Sequence, residues 1–372
     1  MRPAGRSGAP YRIMVVDDSA VLRGLLTRAL ESDPDIVVVA SVGDGQMAIN
    51  AIQRQDVEIV ILDIEMPVMD GLTALPKLLA ARPGVQVLIA STLTLRGATV
   101  SLKALAAGAA DYVTKPGSSA LTTAAEFKRE LVSKVRALAE ARRRTRGEAL
   151  PEPAADGTVS AEPSPAPRPA AIRLRPQPSD RPEVIAIGSS TGGPQALFRI
   201  LKSLAGVRQP ILITQHMPAT FTTILAEHIA RLVGVSAAEA VEGEAVESGR
   251  VYVAPGDFHM IVESAGKERR LRLTKAPPEN FCRPSVDPML RSLAQVFGRR
   301  VLCAILTGMG QDGLKGCEAL VAASGAVVAQ DEKTSIVWGM PGAVAMAGLC
   351  SAVLPIGELG ALIARLAGRG TQ

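Results

Sequence analysis

Val184-Ile185-Ala186-Ile187-Gly188-Ser189-Ser190-Thr191-Gly192-Gly193-Pro194 is a short apolar run that breaks into a glycine-rich turn. Four apolar residues bounded by turn signals read as a strand buried on both faces, and a helix-like segment follows. The pattern recurs twice. Ile211 to Thr214 leads into Gln215-His216-Met217-Pro218, and Val301 to Leu306 leads into Thr307-Gly308-Met309-Gly310-Gln311-Asp312-Gly313. With further strand-like runs at Val251 to Ala254 and Ala326 to Gln330, this half of the chain predicts a doubly wound α/β domain. Loops at the carboxyl ends of parallel strands converge on one crevice, so a serine, a histidine and an aspartate are expected at a common site. Those are the side chains of a nucleophile, its base and the acid that orients the base.

The order serine, histidine, aspartate differs from that of α/β-hydrolases, although Gly188 to Gly192 fits the G-x-S-x-G nucleophile turn with Ser190 at its centre. On the bare sequence Ser189 is a rival nucleophile. Histidine is scarcer: the chain has three, His216, His228 and His259. His228 falls inside the amphipathic stretch Phe221 to Leu232 and reads as a surface or packing residue, which leaves His216 as the histidine at a strand end.

Length and composition set the frame. A chain of 372 residues has room for about two domains, each with its own core. A hydrophobic fraction of 47% and a charged fraction of 21% are those of an ordinary globular protein. No apolar run approaches the roughly 18 to 20 residues that span a bilayer, and Met1 to Pro10 lacks the apolar core of an export signal, so membrane insertion and secretion are not expected and the cytoplasm is. Cys282, Cys303, Cys317 and Cys350 lack C-x-x-C spacing and read as buried reduced thiols. The net charge of +5 owes much to Arg142, Arg143, Arg144 and Arg146, which read as a solvated basic start to a linker; without aromatic interleaving or a helix-turn-helix they do not suggest nucleic-acid binding.

From 142 to 182 the hydrophobic period is lost and proline, alanine and arginine accumulate, as in Pro163-Ser164-Pro165-Ala166-Pro167-Arg168-Pro169. This stretch is expected to link a first domain, 11–141, to the second, 183–369. The first shows strand-like runs at Ile13 to Val16, Val37 to Ala40, Glu58 to Leu62, Val85 to Ile89 and Asp111 to Val113, alternating with helical segments, which predicts a flavodoxin-like (βα)5 fold. Its last helix carries Phe127, Leu131, Val135 and Leu138 in one apolar stripe. At the strand ends stand Asp17 and Asp18, then Asp63, then Ser91, then Lys115. Three carboxylates at one edge repel each other unless a cation intervenes, and hard oxygen ligands suit Mg²⁺.

Val15-Val16-Asp17-Asp18-Ser19, Ile61-Leu62-Asp63-Ile64-Glu65-Met66-Pro67 and Thr114-Lys115-Pro116 resemble the receiver domain of two-component response regulators. The resemblance implies that Asp63 is the phosphoacceptor, that Asp17, Asp18, Asp63 and the Glu65 carbonyl bind Mg²⁺, that Ser91 (or the adjacent Thr92) is the switch hydroxyl, Tyr112 the switch aromatic and Lys115 the phosphate-sensing lysine. Ile187 to Pro194, Gln215 to Pro218, Arg283-Pro284-Ser285-Val286-Asp287, Leu306 to Gly313 and Gly339-Met340-Pro341-Gly342 resemble the chemotaxis protein-glutamate methylesterase and protein-glutamine glutaminase family, CheB, whose order is also receiver, linker, esterase. This implies Ser190 as nucleophile, His216 as general base and acid, Asp312 as the residue that orients the imidazole, and the Met309 amide as an oxyanion donor. It further implies an acyl-enzyme hydrolysis of γ-glutamyl methyl esters and deamidation of glutamines on chemoreceptors, with no metal in that step, and a chemotaxis histidine kinase as phosphodonor. His259 reads as a structural histidine, Arg283 and Asp287 as residues that position substrate or brace a loop, and Trp338 has no assigned chemistry. The rival functions are a receiver-controlled serine hydrolase of a paralogous pathway and a phosphorylation-dependent binding module.

Overall fold

The computed structural model describes residues 9–115, 124–151 and 172–368. The polar start of the chain, Pro116 and the proline repeat at 163–169 lie outside them. The chain divides into two compact units, one built on Met1–Thr92 and Lys103–Ala171 and the other on Leu93–Leu102 and Ile172–Gln372.

In the first unit five parallel strands, β1 (Tyr11–Val16), β2 (Ile36–Val42), β3 (Ile59–Asp63), β4 (Gln86–Ser91) and β5 (Asp111–Thr114), stand in the order β2-β1-β3-β4-β5. Helices α1 (Ala20–Leu30), α2 (Gly45–Arg54), α3 (Gly71–Ala81), α4 (Leu95–Ala106) and α5 (Ala124–Arg146) separate and follow them. Central β3 is buried throughout, as its unbroken Ile-Val-Ile-Leu run requires of a strand covered on both faces. All four residues of the α5 stripe are buried. The connection reverses direction between β1 and β3, so the loops carrying Asp17 and Asp63 leave a switch point side by side.

One expectation fails here. Helix α5 continues five residues past the expected boundary at 141, and its end is only in part a solvated basic run: Arg144 and Arg146 are exposed. Arg142 and Arg143 are buried. Arg143 clamps the fully buried Glu58 with Nε at 3.1 Å and Nη2 at 2.9 Å from Oε1, and it also donates to the Ala9 and Pro10 carbonyls. A buried carboxylate needs a bidentate partner to offset its lost hydration, and that need holds the last helical turn to the sheet.

The second unit has a seven-stranded parallel sheet in the order β14-β13-β12-β6-β7-β9-β8. Its strands are β6 (Val184–Ser189), β7 (Ile211–Gln215), β8 (Ser236–Glu239), β9 (Arg250–Val253), β12 (Val301–Ile305), β13 (Ala326–Gln330) and β14 (Ala352–Leu354). A two-stranded antiparallel hairpin, β10 (His259–Ala265) with β11 (Glu268–Thr274), lies outside that sheet in sequence between β9 and β12. Among its helices are α6 (Gly193–Ser203), α7 (Ala219–Val233), α8 (Val286–Phe297), α9 (Leu314–Ala322), α10 (Met340–Met346) and α11 (Ile356–Gly368). The chain moves outward from β6 through β7 to β9 on one side and from β12 through β13 to β14 on the other. The switch point therefore lies between β6 and β12, which pair from Val184↔Val301 to Gly188↔Ile305. Strands β6, β7, β12 and β13 are buried at every position. One apolar core includes Val184, Leu212, Val286, Leu290, Val327 and Met340.

Candidate functional site

At the switch point of the first unit, Asp17, Asp18 and Asp63 present carboxylate oxygens within 4.8 Å of one another. Asp17 and Asp63 are buried and Asp18 is exposed. Lys115 Nζ lies 2.7 Å from Asp17 Oδ2 and 2.7 Å from Asp63 Oδ2. Burial pushes the Asp63 carboxyl above its ordinary value and Asp17 adds to that, while Lys115 and the Ile64 N–H, 2.7 Å from Oδ1, pull it back. One lysine against three carboxylates leaves negative charge in excess, a donor set of hard oxygens that fits a divalent cation. Ser91 is the last residue of β4 and buried, and its carbonyl accepts from the Lys115 N–H at 2.6 Å. Thr92 is exposed. Tyr112 is buried, with Lys134 Nζ 4.9 Å from its ring centre. Glu65 is exposed at the turn that follows β3.

In the second unit the three loops quoted from the sequence do meet. Ser189 of β6 is in register with Gln215 of β7, so Ser190 and His216 are the next residues out on neighbouring strands. His216 N–H donates to the Ser189 carbonyl at 3.1 Å. The two serines have different surroundings. Ser189 is fully buried and its Oγ donates to Gln215 Oε1 at 2.7 Å, whereas Ser190 is half-buried. Gln215 Nε2 donates to the Ser190 carbonyl at 2.9 Å and fixes the turn. Gly192 then enters α6 with φ of 76°, a left-handed conformation that glycine adopts without a Cβ penalty.

The β12 loop comes in from the other side of the switch point. Ser190 N–H donates to the Thr307 carbonyl at 3.0 Å. Gly308 packs so closely that a Cβ there would lie 2.9 Å from Ser190 Cβ and 2.4 Å from Met340 Sδ. Met309 follows at once, and among the described residues its N–H has no backbone partner, while the Gly308 N–H is spent on Val337.

Asp312 is 1% exposed and receives donors on both oxygens. Oδ2 is 2.7 Å from His216 Nε2 and 2.6 Å from the Val286 N–H; Oδ1 accepts from Ser285 Oγ at 2.7 Å, Asn280 Nδ2 at 2.9 Å and the Gly313 N–H at 2.9 Å. The first turn of α8 thus points its free N–H groups at a carboxylate, which the helix dipole favours. Burial alone would raise this carboxyl, but His216, Val286 and Ser285 outweigh it and hold it at about 2. For His216, burial disfavours the charged ring, yet Cys282 and Asp312 more than offset this and the imidazole is pushed up to about 10. The other ring nitrogen, Nδ1, faces Cys282 Sγ at 3.4 Å.

The remaining expectations divide. His259 is buried, Nε2 near the Pro277 carbonyl at 3.1 Å and Nδ1 accepting from the Ser285 N–H at 3.2 Å, a structural histidine as read. His228 packs its ring 5.0 Å from that of Phe198. Arg283 pairs with Asp257 at 2.6 Å and braces the Lys275 and Ala276 carbonyls, and Asp287 accepts from the Gly316 N–H at 2.7 Å. All four cysteines are free, but Cys282 is only half-buried. Asn280, Cys282 and Ser285 were missed as parts of the site. Ser285 two residues before Asp287 at the head of an apolar helical run was a readable helix start; Asn280 and Cys282 carried no such signal.

The fold and the sites define a two-unit signalling enzyme: a flavodoxin-like sheet with an acidic cluster at its switch point, joined in one chain to a doubly wound sheet that gathers a serine, a histidine and an aspartate. Residues 185–363 match the CheB methylesterase family and residues 13–126 the response regulator receiver domain. A protein-glutamate methylesterase/protein-glutamine glutaminase of Azospirillum brasilense is 61% identical over 99% of this chain and 95% of its own length, and one from Rhodospirillum centenum is 58% identical over 99% and 96%. The catalytic domain of Thermotoga maritima CheB methylesterase is 37% identical, covering 50% of this chain and 98% of its own, with a TM-score of 0.49. The chain belongs to the protein-glutamate methylesterase/protein-glutamine glutaminase family, and its first unit is a receiver domain.

Proposed function

We propose that the chain removes methyl groups from methyl-glutamates of chemoreceptors, deamidates specific receptor glutamines by the same route, and does so under control of phosphorylation at Asp63. The observation that carries the chemistry is the 2.7 Å bond between His216 Nε2 and buried Asp312, on the strand next to a half-buried Ser190. Ser190 Oγ attacks the side-chain carbonyl carbon and passes its proton to His216 Nδ1. The oxyanion of the tetrahedral intermediate lies toward the Met309 N–H. His216 returns the proton to the departing methoxide, released as methanol, or to the amide nitrogen of a glutamine, released as ammonia, and water then cleaves the acyl-serine by the same relay. Asp312 stabilises the imidazolium throughout. Ser189 is a poor rival because its hydroxyl is fully buried and committed to Gln215.

On the receiver, Asp17, Asp18, Asp63 and the Glu65 carbonyl would hold Mg²⁺, which neutralises charge on the incoming phosphoryl group. Lys115, already against Asp63, is placed to pair with a phosphoryl oxygen, with Ser91 as the hydroxyl and Tyr112 as the aromatic of the switch. The phosphodonor is a chemotaxis histidine kinase, and the protein works in the cytoplasm; no helix of the described residues is long and apolar enough to cross a membrane. Receptor membranes carrying labelled methyl groups, incubated with the full chain with and without a small phosphodonor and Mg²⁺, test this reading. Methanol release that rises with the donor is expected. No release under either condition would favour a binding module.

A further inference from the structure

The imidazole of His216 is held at both edges. Asp312 Oδ2 lies 2.7 Å from Nε2 and Cys282 Sγ lies 3.4 Å from Nδ1. A neutral imidazole has one N–H and one acceptor nitrogen, so a carboxylate against Nε2 keeps the proton there and leaves Nδ1 to accept. Nδ1 is then the atom that must take the Ser190 proton, and a thiol already sits on it. No hydrogen bond joins Ser190 Oγ to His216 among the described residues.

The thiol is held there by the fold. Cys282 closes a tight turn with Glu279, each N–H bonded to the other's carbonyl at 3.2 and 2.9 Å, and Asn280 and Phe281 between them take φ of 51° and 62°. Asn280 Nδ2 ties the turn to Asp312 at 2.9 Å and to Asp287 at 3.0 Å, and Arg291 on α8 holds Glu279 in a bidentate pair. The turn that carries the thiol is therefore anchored to the carboxylate that carries the histidine.

We propose that Cys282 is a positioning residue that competes with Ser190 for Nδ1 of His216 and so sets the pH range in which His216 serves as the base; the inference rests on the Ser190–His216–Asp312 reading above. Both groups that face the ring, Asp312 on Nε2 and Cys282 on Nδ1, favour its charged form, and together they overcome burial. Asp287 and the Glu279–Arg291 pair stand behind them. The sulfur at 3.4 Å occupies the one ring nitrogen left to accept a proton. Removing the sulfur takes away both the competitor and its favourable interaction with the charged ring.

The test is methanol release by the full chain across pH for wild type, Cys282→Ala and Cys282→Ser, with titration of the His216 ring nitrogens by ¹⁵N NMR as a readout that needs no turnover. In Cys282→Ala the acidic limb of kcat/KM and the ring titration should both move down by about one pH unit, which is about tenfold more free base at a fixed pH below the limb. kcat should rise at neutral pH with KM unchanged. Cys282→Ser, which keeps a hydroxyl on Nδ1 in place of the sulfur, should show the lower limb with a smaller gain in kcat, and it decides the matter if the alanine variant does not fold. An unmoved limb and ring titration, or a kcat that falls in both variants, overturns the proposal. If the ring titration moves as expected while Ser190→Ala still releases methanol, the catalytic assignment is what has failed.

Discussion

At the scale of single residues, the site turns on two adjacent serines in unlike surroundings. Ser190→Ala and His216→Ala should each abolish methanol release, because nucleophile and base serve one covalent step. Asp312→Asn should slow it by on the order of 10³ to 10⁴, the loss typical when the imidazole loses its tautomer and charge partner. Ser189→Ala should instead keep turnover and lose stability, about 1 to 3 kcal/mol, since it strips a buried acceptor on Gln215 of its donor. A dead Ser189→Ala beside an active Ser190→Ala would reverse the assignment. The same residues set a pH signature for stability. His216 titrates near 10 when folded and 6.5 when unfolded, so its contribution is complete below about 6.5 and is lost as pH rises through 10. Asp312 titrates near 2 against 3.8, so its contribution is present above 3.8 and is lost as pH falls through 2. The gap in thermal midpoint between wild type and His216→Ala should therefore be widest between about pH 4 and 6.5 and close toward pH 10, measured by calorimetry.

At the scale of elements, the last turn of α5 matters more than its charge suggests. Glu58 is fully buried just before β3, and Arg143 pairs with it through both oxygens while Arg12 Nη2 lies 3.0 Å from Oε1. Arg143→Ala should destabilise the receiver by about 1 to 3 kcal/mol, read as a lower denaturant midpoint, since it removes the bidentate pair but leaves Arg12 Nη2, 3.0 Å from Oε1, to offset part of the buried charge. Arg144→Ala, exposed and paired among the described residues with Glu140 at 3.5 Å, should change it by less than about 1 kcal/mol. The contrast explains what the sequence could show. Strands with unbroken apolar runs, such as β3, β6 and β12, were legible because two-sided burial leaves no other composition open to them. Four arginines near a proline-rich stretch look the same whether solvated or buried, since the partner that decides it, Glu58, is 85 residues away. The β10–β11 hairpin was hidden for a related reason: Glu268-Arg269-Arg270-Leu271-Arg272-Leu273-Thr274 is mostly charged, and its pairing with β10 gives it order without two-sided burial. In the site, Ser190, His216 and Asp312 could be read because each follows its own strand, whereas Asn280 and Cys282 reach the histidine through a turn whose path only the folded chain fixes.

At the scale of the whole molecule, the proposed control of the hydrolytic site by the acidic cluster has a cost that population shift sets. If the more active form of the esterase is a small minority before phosphorylation, a tenfold rise in activity needs about 1.4 kcal/mol of differential stabilisation and a hundredfold rise about 2.7 kcal/mol. A phosphoryl group on Asp63 replaces one carboxylate charge with up to about two and adds strong acceptor oxygens, so contacts with Lys115 and a bound cation are of the right order to supply that difference. Lys115 at present divides itself between Asp17 and Asp63, and a phosphoryl group competes for it directly. Ser91, whose carbonyl accepts the Lys115 N–H, ends β4 between the strands that carry Asp63 and Lys115 and is positioned to follow. Asp63→Asn should then hydrolyse at the basal rate yet show no response to phosphodonor. Lys115→Arg should take up the phosphoryl group and respond weakly, because a planar guanidinium cannot replace a compact ammonium wedged between two carboxylates. Methanol release by the two variants with and without donor and Mg²⁺ checks both outcomes, and full stimulation of Asp63→Asn would remove Asp63 as the point of control.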